Sequence, residues 1–347
     1  MTRPQLGFFT RVLDDAPPAE RYRLALEQVR AAEDAGLDAV AVAQHHYDGS
    51  EGGLPSPLVL LAHVAAVTSR VRLTTGVITL ALEDPVRVAE DAAVLDQLSG
   101  GRVELGLASG GSPDAFAAAG LDFADRHAVF TAKLDRLEAA LRGEPLAGGR
   151  PLYPPGGTLA DRVWIGTFSE PWAVEAGRRG YGLMLSRTQP RPADEPDLGL
   201  GSLQERLVDA YLEHLPAGVA PRVSVARTVV VTDDERRAAE LAESGLRRVA
   251  PLVERMTGRF VAGLSTAELV AATDSHVGTP ATVTAGLLAD PAVARATHLS
   301  FQVHSVDPPH PEVLRSVELL AAEVAPALGW TAHEATRVPE AAGVNLG

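Results

Sequence analysis

Eight short apolar segments, each followed by a stretch of helical period, run the length of this chain, and that alternation restricts the fold more than any other feature. The segments fall at residues 6–9, 39–43, 71–79, 103–108, 163–167, 182–186, 223–231 and 298–303. Between the first two, Tyr22, Ala25, Leu26, Val29 and Ala32 recur at helical spacing and Gly36 closes the helix. Further helices are expected over 57–68, from Asp84-Pro85 to Ser99-Gly100-Gly101, and over 131–142 and 172–177, with another beginning at Thr279-Pro280. Thr232 with Glu235, and Ser265 with Glu268, have capping-box spacing, and Val313, Val317, Leu320, Ala321 and Val324 line a last helix. Eight sequential βα units predict a closed (β/α)8 TIM barrel; the same pattern also permits an open doubly wound sheet. One domain is expected over 1–330, with an insertion at about 249–277, an exposed mobile loop at 191–203 and a disordered tail over 331–347.

The chain has 347 residues, 46% of them hydrophobic, enough for a large core. It contains no cysteine, which excludes disulfides, thiolate metal sites and thiol nucleophiles. A net charge of −14 opposes polyanions, and no basic patch points to nucleic acid. No apolar run is long enough to cross a membrane, and the N-terminus lacks a signal-peptide pattern, so a cytoplasmic protein is expected.

In a barrel the chemistry sits just beyond the carboxyl ends of the strands. That places Gln44, His45 and His46 at the mouth, with Ser109, Gly110 and Gly111, with Thr167, Phe168 and Ser169, with Ser186 and Arg187, and with His304 and Asp307. Two histidines plus His304 and Asp307 would suit a metal, but adjacent strand residues point apart, so no metal is expected and His46 is read as packing under a loop. The Ser109 to Gly111 and Thr167 to Ser169 stretches fit an anion held by backbone and hydroxyl groups; they equally fit ordinary turns.

The apolar strand ending in Gln44-His45-His46, the run from Asp84-Pro85-Val86-Arg87 through Leu95-Asp96-Gln97-Leu98-Ser99-Gly100-Gly101-Arg102, and Val277-Gly278-Thr279-Pro280 resemble the bacterial-luciferase-like flavin monooxygenases. The resemblance extends from about Leu6 to Leu328. It implies an oxidoreductase that uses reduced FMN and O2, through a C4a-hydroperoxide, to oxygenate a small organic substrate. By position His45 matches the family's catalytic histidine, and Gly76-Val77 the non-proline cis peptide beneath one flavin face. Ser169 matches a serine on the FMN phosphate, and Glu90 a carboxylate at the dimer interface, which implies a homodimer. Ser109, Gly110, Thr167, Phe168, Ser186 and Arg187 complete the implied FMN site.

Departures lie around the phosphate. The luciferases have glutamate at Gln44, cysteine at Ala108, arginine at Ser109, threonine at Trp172 and tryptophan at Arg187. Arg187 is the expected replacement for the lost positive charge. No Gly-x-Gly-x-x-Gly follows a strand, so a separate NAD(P)H:flavin reductase is the implied partner, and light emission is not the expected output. Two other readings stay open: a deazaflavin-dependent oxidoreductase on the same barrel, and a flavin-binding protein without catalysis.

Overall fold

The computed structural model describes residues 3–47, 49–258, 260–303 and 308–331. Ten strands run in parallel: β1 (Gln5–Thr10), β2 (Ala39–Val42), β3 (Arg72–Thr75), β4 (Ile78–Thr79), β5 (Val103–Ala108), β6 (Val163–Gly166), β7 (Gly182–Leu185), β8 (Val223–Val231), β9 (Ser275–Gly278) and β10 (His298–Gln302). β10 pairs with both β1 and β8, which closes an eight-stranded barrel as the alternation predicts.

Two strands lie off the closed wall. The apolar run 71–79 is not one strand: the cis bond Gly76–Val77 interrupts it, β3 ends at Thr75, and β4 resumes against Leu107 and Ala108. β8 is nine residues long and changes partner along its length. Ser224 to Thr228 pair with β10, while Thr228 to Val231 pair with β9.

Helices cover the outside because each buries one apolar stripe against the wall. In Pro85–Leu98 that stripe is Val88, Ala89, Ala92, Ala93 and Leu95, and Asp84 caps the helix by accepting from the backbone N–H of Val86 and Arg87. Ser265 and Glu268 form the expected capping box. Thr232 does not cap the next helix; Asp234 does, accepting from Arg237 N, and Glu235 instead bonds Thr279 and Thr282.

The helix Leu200–Glu213 replaces the last part of the loop expected at 191–203. Pro192 and Pro196 in that stretch obscure the apolar period that begins at Leu200. The rest of the loop is tied down: the Arg191 guanidinium is fully buried, pairs with Asp274 and donates to the carbonyls of Leu198 and Gln189. The stretch 249–277 holds the end of the helix Glu235–Thr257, the helix Thr266–Ala272 and β9, all outside the closed wall. His304, Asp307 and the tail beyond Thr331 lie outside the described residues.

The barrel interior departs from the branched aliphatic filling usual in this architecture. Arg227 of β8 points outward to Asp290 and Gln204, so its neighbours Ala226 and Thr228 point inward. The same alternation turns Gly7, Ala39, Ala41, Gly106, Ala108, Gly166, Gly182 and Ser300 inward. Only the amino-terminal end is filled by large groups. There Arg72 pairs with Glu104 at 2.6 Å, Trp164 donates to Glu104, and His298 meets the Trp164 ring edge-on at 4.8 Å. A Cβ at Gly182 would sit 2.1 Å from the Trp164 ring, so glycine there makes room for this plug. Burial above all, with Arg222 nearby, lowers the His298 pKa to about 4 and keeps the imidazole neutral.

Candidate functional site

With the lower half plugged and the upper half lined by small residues together with Phe9, Met184 and Gln302, the carboxyl end of the barrel stays open. Phe9, Gly76, Val77, Ala108, Gly166 and Met184 are each only half-buried, although strand neighbours such as Phe8, Leu107, Ile165 and Leu185 are fully packed. The open side is therefore the inside of the barrel mouth.

Absent side chains let the wall pack closely around this space. A Cβ at Gly166 would lie 2.8 Å from Val77 Cγ1, and one at Gly106 would lie 2.1 Å from the Thr75 carbonyl oxygen. Thr75 Oγ1 bonds both the N–H and the carbonyl of Gly106 at 2.8 Å, which holds β3 close against β5 where the cis peptide follows. Gly110 has φ +91°, and a Cβ there would meet Thr79 Cγ2 at 2.5 Å, so it needs glycine for conformation and for space.

The end of β2 supplies the polar rim. Gln44 is a latch: its Nε2 donates to Glu83 Oε1 at 2.8 Å and to the Pro55 carbonyl at 3.1 Å, and its Oε1 accepts from Thr79 N at 2.7 Å. It thereby joins three segments of the mouth. His45 donates its backbone N–H to Leu54 O, and its ring lies against Gly52, where a Cβ would sit 2.4 Å from Nδ1. Arg11, at the end of β1, places Nη2 3.3 Å from His45 Nε2. His46 turns away, as expected for adjacent residues; its Nε2 is buried without a hydrogen-bond partner among the described residues, and its ring tilts against Tyr47.

Thr167 to Ser169 form a compact turn after β6. Ser169 N donates to Thr167 Oγ1 at 2.9 Å, and the two hydroxyls approach to 3.3 Å. Ser169 is the N-cap of the helix Glu170–Arg178, yet its hydroxyl does not cap it and approaches Thr167 Oγ1 instead, which leaves the helix end without a side-chain cap. Phe168 turns its ring to solvent, and its carbonyl accepts from Gln189 at 3.2 Å. Ser186 is held through its carbonyl by Gln204 at 2.7 Å. Arg187 Nε donates to Gln302 Oε1 at 3.0 Å, so the side chain leans across β8 toward β10, the side opposite β6.

The structure thus gathers His45, Gly76, Val77, Ser109, Gly110, Ser169, Ser186 and Arg187 around one mouth. It adds Phe9, Arg11, Gly166, Met184 and Gln302, which no local motif marks. Strand alternation alone would have turned Phe9, Gly166, Met184 and Gln302 inward. No group of three or more His, Asp or Glu residues suited to a metal occurs among the described residues. Nor is any described helix long and apolar enough to cross a membrane. Two further clefts, of about 290 and 280 Å3, lie at the amino-terminal end of the barrel beside Asp38 and Arg72, and outside the wall beside Asp274 and His276.

Comparison with known proteins agrees with this architecture. A family model described as luciferase-like monooxygenase matches residues 6–292. The 4-hydroxyprotoasukamycin monooxygenase of Streptomyces nodosus subsp. asukaensis is 30% identical over 228 residues, 61% of this chain and 60% of that protein. The first three curated relatives are matched over 50%, 70% and 60% of their own lengths. Among solved structures, the oxygenating constituent of 3,6-diketocamphane monooxygenase from Pseudomonas putida, a type II Baeyer-Villiger monooxygenase in complex with FMN, superposes with a TM-score of 0.77 at 20% identity, covering 94% of this chain and 99% of that one. The coenzyme F420 dependent tetrahydromethanopterin reductase of Methanopyrus kandleri reaches 0.69 at 17% identity, covering 94% and 100%. At such identities the structural likeness shows the fold.

Proposed function

The chain belongs to the luciferase-like monooxygenases, a family of oxidoreductases, and from that premise we propose that it is the oxygenase component of a two-component system that uses reduced FMN and O2 to oxygenate a small organic substrate. The observation that carries this reading is the glycine-lined hollow above a plugged barrel, with His45 at its rim. A flat, partly apolar ring system suits the half-open mouth lined by Phe9, Gly76, Val77, Ala108, Gly166 and Met184. When bound, reduced FMN supplies the electrons with which O2 is activated, one oxygen atom going to the substrate and the other to water.

The chain's own residues have the remaining tasks. Gly76 and Val77 support one face of the ring. Ser169, Thr167 and the backbone of Phe168 receive the phosphate at a helix N-terminus, with Ser109, Gly110 and Ser186 around it, while Arg187, turned toward Gln302, lines the other side of the mouth. His45 exchanges protons next to the ring. The structural relative is itself named an oxygenating constituent, which supports a separate NAD(P)H:flavin reductase as partner.

A homodimer is part of the proposal. Val59, Val94 and Leu98 are exposed apolar residues on the neighbouring helices Pro57–Val67 and Pro85–Leu98, and Glu90, which pairs with Arg87, is one turn before Val94. Sedimentation velocity on the sample described next is expected to show two subunits; a monomer at micromolar concentration refutes this part.

Anaerobic titration with reduced FMN, followed by mixing with oxygenated buffer, tests the main reading. The expected result is saturable binding, then a long-lived species absorbing to the blue of oxidised flavin, shortened by His45→Ala. The structural likeness to an F420 enzyme keeps deazaflavin as the competing cofactor. Tight deazaflavin binding without affinity for FMN overturns the proposal.

A further inference from the structure

We infer that Arg11 sets the tautomer and charge of His45, holding the imidazole neutral with its proton on Nδ1 and its Nε2 lone pair on the guanidinium. Arg11 Nη2 lies 3.3 Å from His45 Nε2. A guanidinium has donors only, so a hydrogen bond between these atoms requires the lone pair at Nε2 and leaves the proton on Nδ1. A second positive charge on the ring would face the guanidinium in a partly dry mouth, which disfavours imidazolium.

The surroundings fix both partners. Arg11 is 7% exposed, and its carbonyl accepts from Gly53 N at 2.9 Å. The next residue, Val12, is fully buried with φ +56°, a left-handed conformation that a β-branched residue adopts only under constraint. Thr10 Oγ1 accepts from Val12 N at 3.0 Å and helps to hold that turn. On the other side Tyr47 has φ +66° just beyond the histidine pair. Among the described residues three non-glycine positions have positive φ, and two of them flank this contact. Gly52 packs close to the Nδ1 side of the ring, where a Cβ would sit 2.4 Å from Nδ1 and displace it. Strained backbone on both chains that deliver the pair is what a site gains when the aim of a side chain matters more than local stability. Arg11 acts through His45 and is a positioning residue.

This inference deepens the proposed function, but its test needs no flavin, so the failure of one is distinguishable from the failure of the other. Nitrogen NMR of 15N-histidine-labelled full-length protein at pH 8, with His45 assigned by the spectrum of His45→Gln, reads the protonation of each ring nitrogen. In the wild type His45 Nε2 is expected to give a pyridine-like shift and Nδ1 a pyrrole-like one. Arg11→Met is expected to lose that pattern, and Arg11→Lys, which also only donates, to keep it. A pyrrole-like Nε2 in the wild type overturns the inference and requires no variant. An Arg11→Met protein with the wild-type pattern also overturns it.

Discussion

Gln44 shows how much one side chain contributes when both ends of its amide are used. It accepts from Thr79 and donates to Glu83, so only a group that is donor and acceptor together fits. Gln44→Glu removes the donor and sets two carboxylates against each other in a nearly buried position. The expected cost is about 1–3 kcal/mol at pH 7, easing below about pH 5 as one carboxyl protonates. Urea unfolding at the two pH values checks this; equal losses at both would refute the charge argument. His45 was legible because an apolar strand delivers it to the mouth. Arg11 was not, because nothing local marks an arginine after a strand until the end of β2 is placed beside it.

At the scale of elements, caps and apolar periods were readable wherever the helix carried its own signal. Asp84-Pro85 and Ser265 with Glu268 start helices as expected. The helix Leu200–Glu213 escaped notice because its start at Gly199 has no side-chain cap and lies next to a proline-rich stretch. Its loop is ordered by a tertiary contact, the buried pairing of Arg191 with Asp274, whose carboxylate also accepts from Leu200 N at 3.3 Å. Sequence separation hides such a pair. Arg191→Ala leaves Asp274 and two carbonyls unpaired in a dry site, and we expect a loss of about 3 kcal/mol together with proteolytic cleavage within residues 190–199. Unchanged resistance to limited proteolysis would show that the loop is held by other means.

For the whole molecule, closure of the barrel was legible in eight sequential βα units, whereas the hollow was not, because it depends on which strand faces turn inward together. The fold also buries histidines, His298 within the barrel and His276 on β9 outside its wall. Burial first, then Arg227, lowers His276 to about 4, with Asp290 partly opposing, and His298 is lowered to the same value. Both sit below their ordinary 6.5, so the unfolded chain binds more protons between these limits. Stability from this source is complete above pH 6.5 and is lost as pH falls toward 4, by roughly 3 kcal/mol per histidine. The urea midpoint should therefore drop between pH 6.5 and 5, before most carboxylates titrate, and His276→Asn should flatten that drop. An identical slope in the variant would remove His276 from the account.

The hollow itself is lined chiefly from the strands, by Phe9, Ala108, Gly166 and Met184, and at one point by the Gly76–Val77 break between β3 and β4. Rim segments can thus lengthen, shorten or change composition while the chamber beneath keeps its shape. Descendants of such a scaffold can turn to new compounds by exchanging the rim alone, and a grafting experiment can follow the same route.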